Sequence, residues 1–165
     1  MKRFLVSAIL LLLGLALSAQ SLTGKWTLPE SDVEEDLSMT GTEVLDLREN
    51  GSFEHTLDIQ IVMKLDEETT FHVSMLISAP GSWTREGETL TLKPVRNKAK
   101  AEIVDTDMPG IIKTLFANSI KNELLKELRK PITARIVTVT EDKLVLLDPD
   151  GKDPANQLSE YTRTK

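Results

Sequence analysis

The sequence predicts a mainly β protein: an antiparallel up-and-down barrel with one amphipathic helix inserted before the last strands. Three observations carry this. Phe53 to Leu65 alternates apolar and polar residues for thirteen positions, with Val62 the one apolar residue on the polar side, the period of a half-buried strand. Short strand-like runs separated by turn residues fill most of the remaining chain, nine or ten in all, a count that suits a barrel or sandwich. A single stretch, Pro109–Lys130, changes to the three-and-four spacing of a helix.

The elements follow in order. Gly24 to Leu28 reads as a first strand stopped by Pro29, and Glu30 to Met39 as an acidic, solvated loop. Glu43 to Arg48 alternates, with Leu45 and Leu47 on one face, and Asn50-Gly51 marks a tight hairpin turn whose central positions tolerate positive φ. The long strand from Phe53 would extend roughly 40 Å, a length expected of a strand that bends around a barrel. Asp66-Glu67-Glu68 turns the chain, and Phe71, Val73, Met75, Ile77 and Ala79 repeat the inward pattern, with His72 and Leu76 outside. A three-residue turn pairs 63 with 71, 61 with 73 and 59 with 75. A slip by one residue would set apolar against polar side chains.

Pro80-Gly81 bends the chain, and a hairpin about Glu86-Gly87 sets Trp83 opposite Leu90 and Arg85 opposite Glu88. Ala99 to Val104 is a weaker strand. The helix presents Ile111, Ile112, Leu115, Phe116, Ile120, Leu124, Leu125 and Leu128, with Asp107 as its cap and Pro131 as its stop. Its polar side is basic, which suits either a membrane surface or a helix laid over the sheet. Ile132 to Thr140, Lys143 to Leu147 and Ser159 to Thr164 complete the strands, with a Pro/Gly loop from Asp148 to Pro154.

Residues 1–19 read as a cleaved signal peptide and residues 20–165 as a single domain. Lys2 and Arg3 precede an uncharged run from Phe4 to Leu17, and small residues follow at Ala16, Ser18 and Ala19, the order of a secretory leader. Cleavage is expected after Ala19 or after Ser18. The apolar run is shorter than the ~20 residues of a spanning helix, so a soluble protein of the periplasm or exterior is expected. The whole chain has 20 basic and 26 acidic residues, and losing Lys2 and Arg3 moves its charge from −6 to −8. That balance argues against nucleic acid and anionic membranes as partners. The absence of cysteine excludes disulfides, thiolate metal sites and thiol catalysis.

Enzyme motifs are missing: there is no Gly-x-Ser-x-Gly, no phosphate-binding glycine loop and no His-Glu-x-x-His. A non-catalytic chain without metal or cofactor is expected. The two histidines fall on opposite faces, His55 inward and His72 outward, which separates them too far to share a metal. His55 is then either a hydrogen-bonded interior residue or a polar contact for a ligand head group.

Several short motifs together resemble the small secreted bacterial lipocalin-like (calycin-type) β-barrel proteins. They are Leu22-Thr23-Gly24-Lys25-Trp26, Leu45-Asp46-Leu47 running to Gly51-Ser52-Phe53, Gly81-Ser82-Trp83 with Leu90-Thr91-Leu92, and the ending Tyr161-Thr162-Arg163. The resemblance implies that Trp26 closes one barrel end beneath a stacked Arg163. One departure is that lipocalins carry their helix after the eighth strand, whereas here it precedes the last three, where it either plugs the mouth or covers one face.

The function expected is binding of a small hydrophobic ligand inside the barrel. Its lining would be His55, Leu57, Ile59, Ile61, Met63, Phe71, Val73, Met75 and Ile77. The same residues would also suit a filled barrel, whose function would be protein interaction in the cell envelope.

Overall fold

The computed structural model describes residues 21–66, 68–148 and 158–164. The expected signal peptide and most of the Asp148–Pro154 loop lie outside the described residues. Nine strands and one helix are described: β1 (Gly24–Val33), β2 (Leu37–Leu47), β3 (Ser52–Lys64), β4 (Thr70–Glu86), β5 (Thr89–Pro94), β6 (Lys100–Thr106), α1 (Gly110–Leu128), β7 (Ile132–Val139), β8 (Lys143–Leu147) and β9 (Leu158–Thr164).

Eight of these strands close an antiparallel barrel. The hydrogen-bonded order is β3-β2-β1-β9-β8-β7-β5-β4, and β4 returns to β3. Strand β6 stands outside this ring and pairs with β4 alone. The long β4 divides one edge between two partners: Gly81–Glu86 pairs with β5, and Val73–Ser78 pairs with β6.

That division creates two cores. One fills the barrel and includes Trp26, Leu45, Leu47, Phe53, Leu90, Ile136, Leu144 and Tyr161. The other lies on β3, β4 and β6 and takes in Met108, Leu125 and Leu128. The alternation of β3 has no bulge, so one strand face serves both, with Phe53 in the barrel and Ile59 and Ile61 beneath the helix. The strand is long because it leaves the barrel as a helix-covered sheet, in place of the expected bend around the wall.

The β3–β4 register matches the sequence expectation at Met63↔Phe71, Ile61↔Val73 and Ile59↔Met75. Leu65 N–H closes the turn on the Thr69 carbonyl at 2.9 Å. His72 and Leu76 are exposed as expected.

Five local expectations are corrected. Pro29 does not stop β1, which runs to Val33 against β2. β9 pairs with β1 only as far as Thr27, so Pro29 sits where one edge no longer needs donors. The expected acidic loop is therefore mostly hairpin, closed by Glu34 N–H on the Leu37 carbonyl at 2.8 Å.

At Asn50-Gly51 only the glycine has positive φ (76°). Asn50 contributes its side chain instead, Oδ1 accepting the Ser52 N–H at 3.0 Å. The next hairpin turns at Gly87-Glu88, pairing Trp83↔Leu92 and Arg85↔Leu90. Gly87, at φ 61°, takes the first central position of the loop. The two-residue shift preserves which side chains face inward.

Asp107 does not cap the helix. Its Oδ1 accepts the His72 N–H at 2.8 Å and ties the end of β6 to β4, while the Pro109 carbonyl accepts the Lys113 N–H at 2.8 Å. The helix covers one face of the extended sheet: Leu125 and Leu128 are buried against it. Its first turns stand clear, with Ile111 80% and Leu115 68% exposed. The side chains of Phe116, Ile120 and Leu124 lie outside the described set.

Candidate functional site

Strands β1 and β9 close one end of the barrel. Trp26 and Arg163 are cross-strand partners, and the guanidinium carbon of Arg163 lies 4.2 Å from the centroid of the Trp26 ring. The indole is fully buried, and its N–H donates to the Leu22 carbonyl at 2.8 Å. Arg163 donates to the carbonyls of Thr23 at 2.8 Å and Ser21 at 3.0 Å, which fastens the incoming chain across the barrel end. Gly24 makes room for this: its φ is +134°, and a Cβ there would lie 2.7 Å from Arg163 Nη1.

One step further along the same inward faces, the interior becomes polar. Glu43 precedes Leu45 by two residues on β2, Tyr161 precedes Arg163 by two on β9, and His55 lies opposite Leu45 on β3. These three side chains meet. His55 Nε2 is 2.8 Å from Glu43 Oε1, and the Tyr161 hydroxyl donates to the same oxygen at 2.8 Å. The His55 and Glu43 side chains are only 11% and 16% exposed. His55 Nε2 is enclosed and has no well-directed hydrogen bond, so the two groups lie in close contact without a well-aligned bond.

Burial pushes the Glu43 carboxyl upward, but the facing His55 imidazole and the Tyr161 hydroxyl outweigh it and hold the group below its ordinary value. Burial, then the Glu43 charge, pushes the Tyr161 phenol far above its ordinary value. Glu30, on the exposed rim, is raised by partial burial and by Glu43.

Beside this trio is a cavity of about 210 Å³. Leu45, Leu90, Leu92, Ile132, Ala134 and Leu146 supply its apolar wall, and Glu43, His55, Thr133, Asp148, Ser159 and Tyr161 its polar groups. The wall draws on β2, β3, β5, β7, β8 and β9, so the space belongs to the barrel and not to one surface loop.

Of the nine residues expected to line a ligand space, His55 lines this cavity. Ile59, Ile61, Val73, Met75 and Ile77 belong instead to the core beneath the helix, with Leu57, Met63 and Phe71 packed against it. Neither Glu43 nor Tyr161 was among the expected site residues. Both were signalled by alternation, Glu43 sharing the face of Leu45 and Leu47, and Tyr161 that of Arg163.

Fold and site together define a closed eight-stranded antiparallel barrel with a small cavity and a largely buried acid–imidazole–phenol cluster at its polar end. No family model matches the chain, and no curated protein does. Among solved structures it is similar to an uncharacterized protein from Bacteroides eggerthii, at 11% identity and a TM-score of 0.43, over 87% of this chain and 100% of that one.

Proposed function

We propose that this chain is an exported binding protein that holds a small, largely apolar molecule inside its barrel. The observation that carries the reading is the cavity of about 210 Å³, apolar over most of its wall and polar at one end. Ligand sites have that composition, although drug-sized ones are larger, about 300–1,000 Å³. A dry cavity of about 150 Å³ accommodates benzene, so the occupant is of that order of size. The Trp26–Arg163 stack supports a lipocalin-like relationship, since it has the end closure that the resemblance implies. Export rests on the leader-like order of residues 1–19. The site is read as a binding site because its polar groups gather at one end of an otherwise apolar wall.

Native mass spectrometry of the protein purified from its own envelope fraction tests this. The expected result is a small adduct that leaves on denaturation, and a bare-chain mass would contradict the reading.

A second reading, an interaction module of the cell envelope, is favoured by the exposed Ile111 and Leu115 on the helix. It requires an envelope protein that co-purifies with the wild type and is lost from an I111D/L115D variant.

A further inference from the structure

We propose that the molecule held in the barrel cavity is a small primary amine, its ammonium group against Glu43 and its apolar body against Leu90, Leu92 and Ala134. This deepens the preceding reading and rests on the cavity being a binding site.

The charge of the lining favours that class. Glu43 is the acid of the inner end, and among the described lining residues there is no lysine or arginine. Among the described lining residues His55 alone could carry positive charge, and its Nε2 faces Glu43 Oε1 at 2.8 Å. A carboxylate ligand, such as a fatty acid, would enter beside Glu43 with no lysine or arginine among the described lining residues to receive it. Like charges at close range in a poorly solvated site repel strongly. A protonated amine meets the opposite situation.

Hydrogen-bond capacity points the same way. An ammonium group has three donors and no acceptor, so it needs a site rich in acceptors. Both contacts to Glu43 converge on Oε1, and Oε2 remains an acceptor without a hydrogen bond among the described residues. Tyr161 spends its only proton on Glu43, and its oxygen meets the Ser159 hydroxyl. The Ser159 oxygen keeps lone pairs of its own on the same lining. The position of Glu43 also keeps its charge available: the His55 and Tyr161 contacts oppose the effect of burial and hold the carboxyl ionised at neutral pH.

The volume restricts the rest of the molecule. About 210 Å³ suits a single ring or a short alkyl chain, not a long-chain lipid. The apolar wall gives such a body its binding free energy, and the acid cluster sets its polarity and orientation.

Calorimetric titration of the wild-type chain at pH 7 with three near-isosteric probes decides the matter: 2-phenylethylamine, 2-phenylethanol and phenylacetate. The amine is expected to bind about ten-fold or more tightly than the alcohol, the scale of a hydrogen bond to a charged group, with phenylacetate weakest. Raising the salt concentration should narrow the gap. Glu43→Gln should weaken the amine about ten-fold and leave the alcohol within about two-fold. Should that variant not fold, the wild-type series and its salt dependence decide alone. Equal or tighter binding of the alcohol or of phenylacetate overturns the amine assignment while leaving the cavity as a binding site. No heat and no displacement with any of the three overturns the cavity reading together with it.

Discussion

Arg163 stacks on Trp26 as its direct cross-strand partner, 4.2 Å from the ring centroid, while donating to two carbonyls of the segment that leads into β1. One side chain thus joins the last strand, the first strand and the chain before it. A cation–π contact contributes about 0.5–2 kcal/mol, and the charge-assisted hydrogen bonds add to it. Arg163→Ala is expected to lower stability by about 2–3 kcal/mol in urea unfolding. Arg163→Lys should recover less than half, because an ammonium group cannot stack and reach two carbonyls at once. A loss under about 0.5 kcal/mol in the alanine variant would contradict this role.

Gly81 and Phe53 form a second dependency. They are paired across β3 and β4, and a Cβ on Gly81 would fall 2.5 Å from the Phe53 ring and 2.4 Å from the Lys93 carbonyl oxygen. Gly81→Ala is expected to cost about 1–3 kcal/mol through overpacking. Pairing it with Phe53→Leu should recover part of that loss, and a double-mutant cycle measures the coupling.

The Glu43–Tyr161 contact gives stability a pH dependence at both ends. Glu43 titrates below its ordinary value of 4.5 when folded, so its contribution is complete above that pH and is lost as the pH falls further. Tyr161 titrates above its ordinary value of 10.0 when folded, so its contribution is complete below pH 10 and declines as the pH rises past it. Thermal unfolding midpoints across pH should fall at both extremes. Tyr161→Phe should flatten the alkaline limb and Glu43→Gln the acidic one. Unchanged limbs in both variants would show that these groups do not govern the profile.

The two cores respond differently to substitution. Ile61→Ala is expected to cost about 2–5 kcal/mol and to leave the barrel cavity intact, since Ile61 packs beneath the helix. Ala134→Phe should fill the cavity it lines and abolish binding of any occupant. Ile111→Ser and Leu115→Ser should change stability by no more than about 0.5 kcal/mol, because both side chains already face solvent. Calorimetry with a bound probe, beside urea unfolding, separates these outcomes.

These contrasts also mark what could be read before the structure. The β3–β4 register was legible because thirteen alternating residues and a short turn leave one pairing that keeps apolar faces together. The Trp26–Arg163 stack is the contact that the lipocalin-like resemblance implied. The helix position before the last three strands was plain from its period.

What escaped was long-range. Alternation shows which side of β3 is buried, but not that the burying partner changes from barrel to helix between Phe53 and Ile59. That change depends on β4 dividing its edge between β5 and β6. Eight of the nine expected lining residues were thus assigned to the correct face, yet they pack in the helix-covered core. Pro29 was misread for a similar reason. It lies within a strand because β9 has already ended beside it, which local sequence does not reveal. Glu43 and Tyr161 carried a face but no partner until β2, β3 and β9 came together.

Methyl-resolved NMR of the protein purified from its envelope fraction, recorded before and after unfolding, stripping and refolding, tests the central claim most directly. If the barrel holds a small molecule, the methyls of Leu90, Leu92, Ala134 and Leu146 should shift on stripping, while those of Ile59, Ile61 and Ile77 stay in place. Identical spectra, or shifts confined to the helix-covered core, would contradict the account.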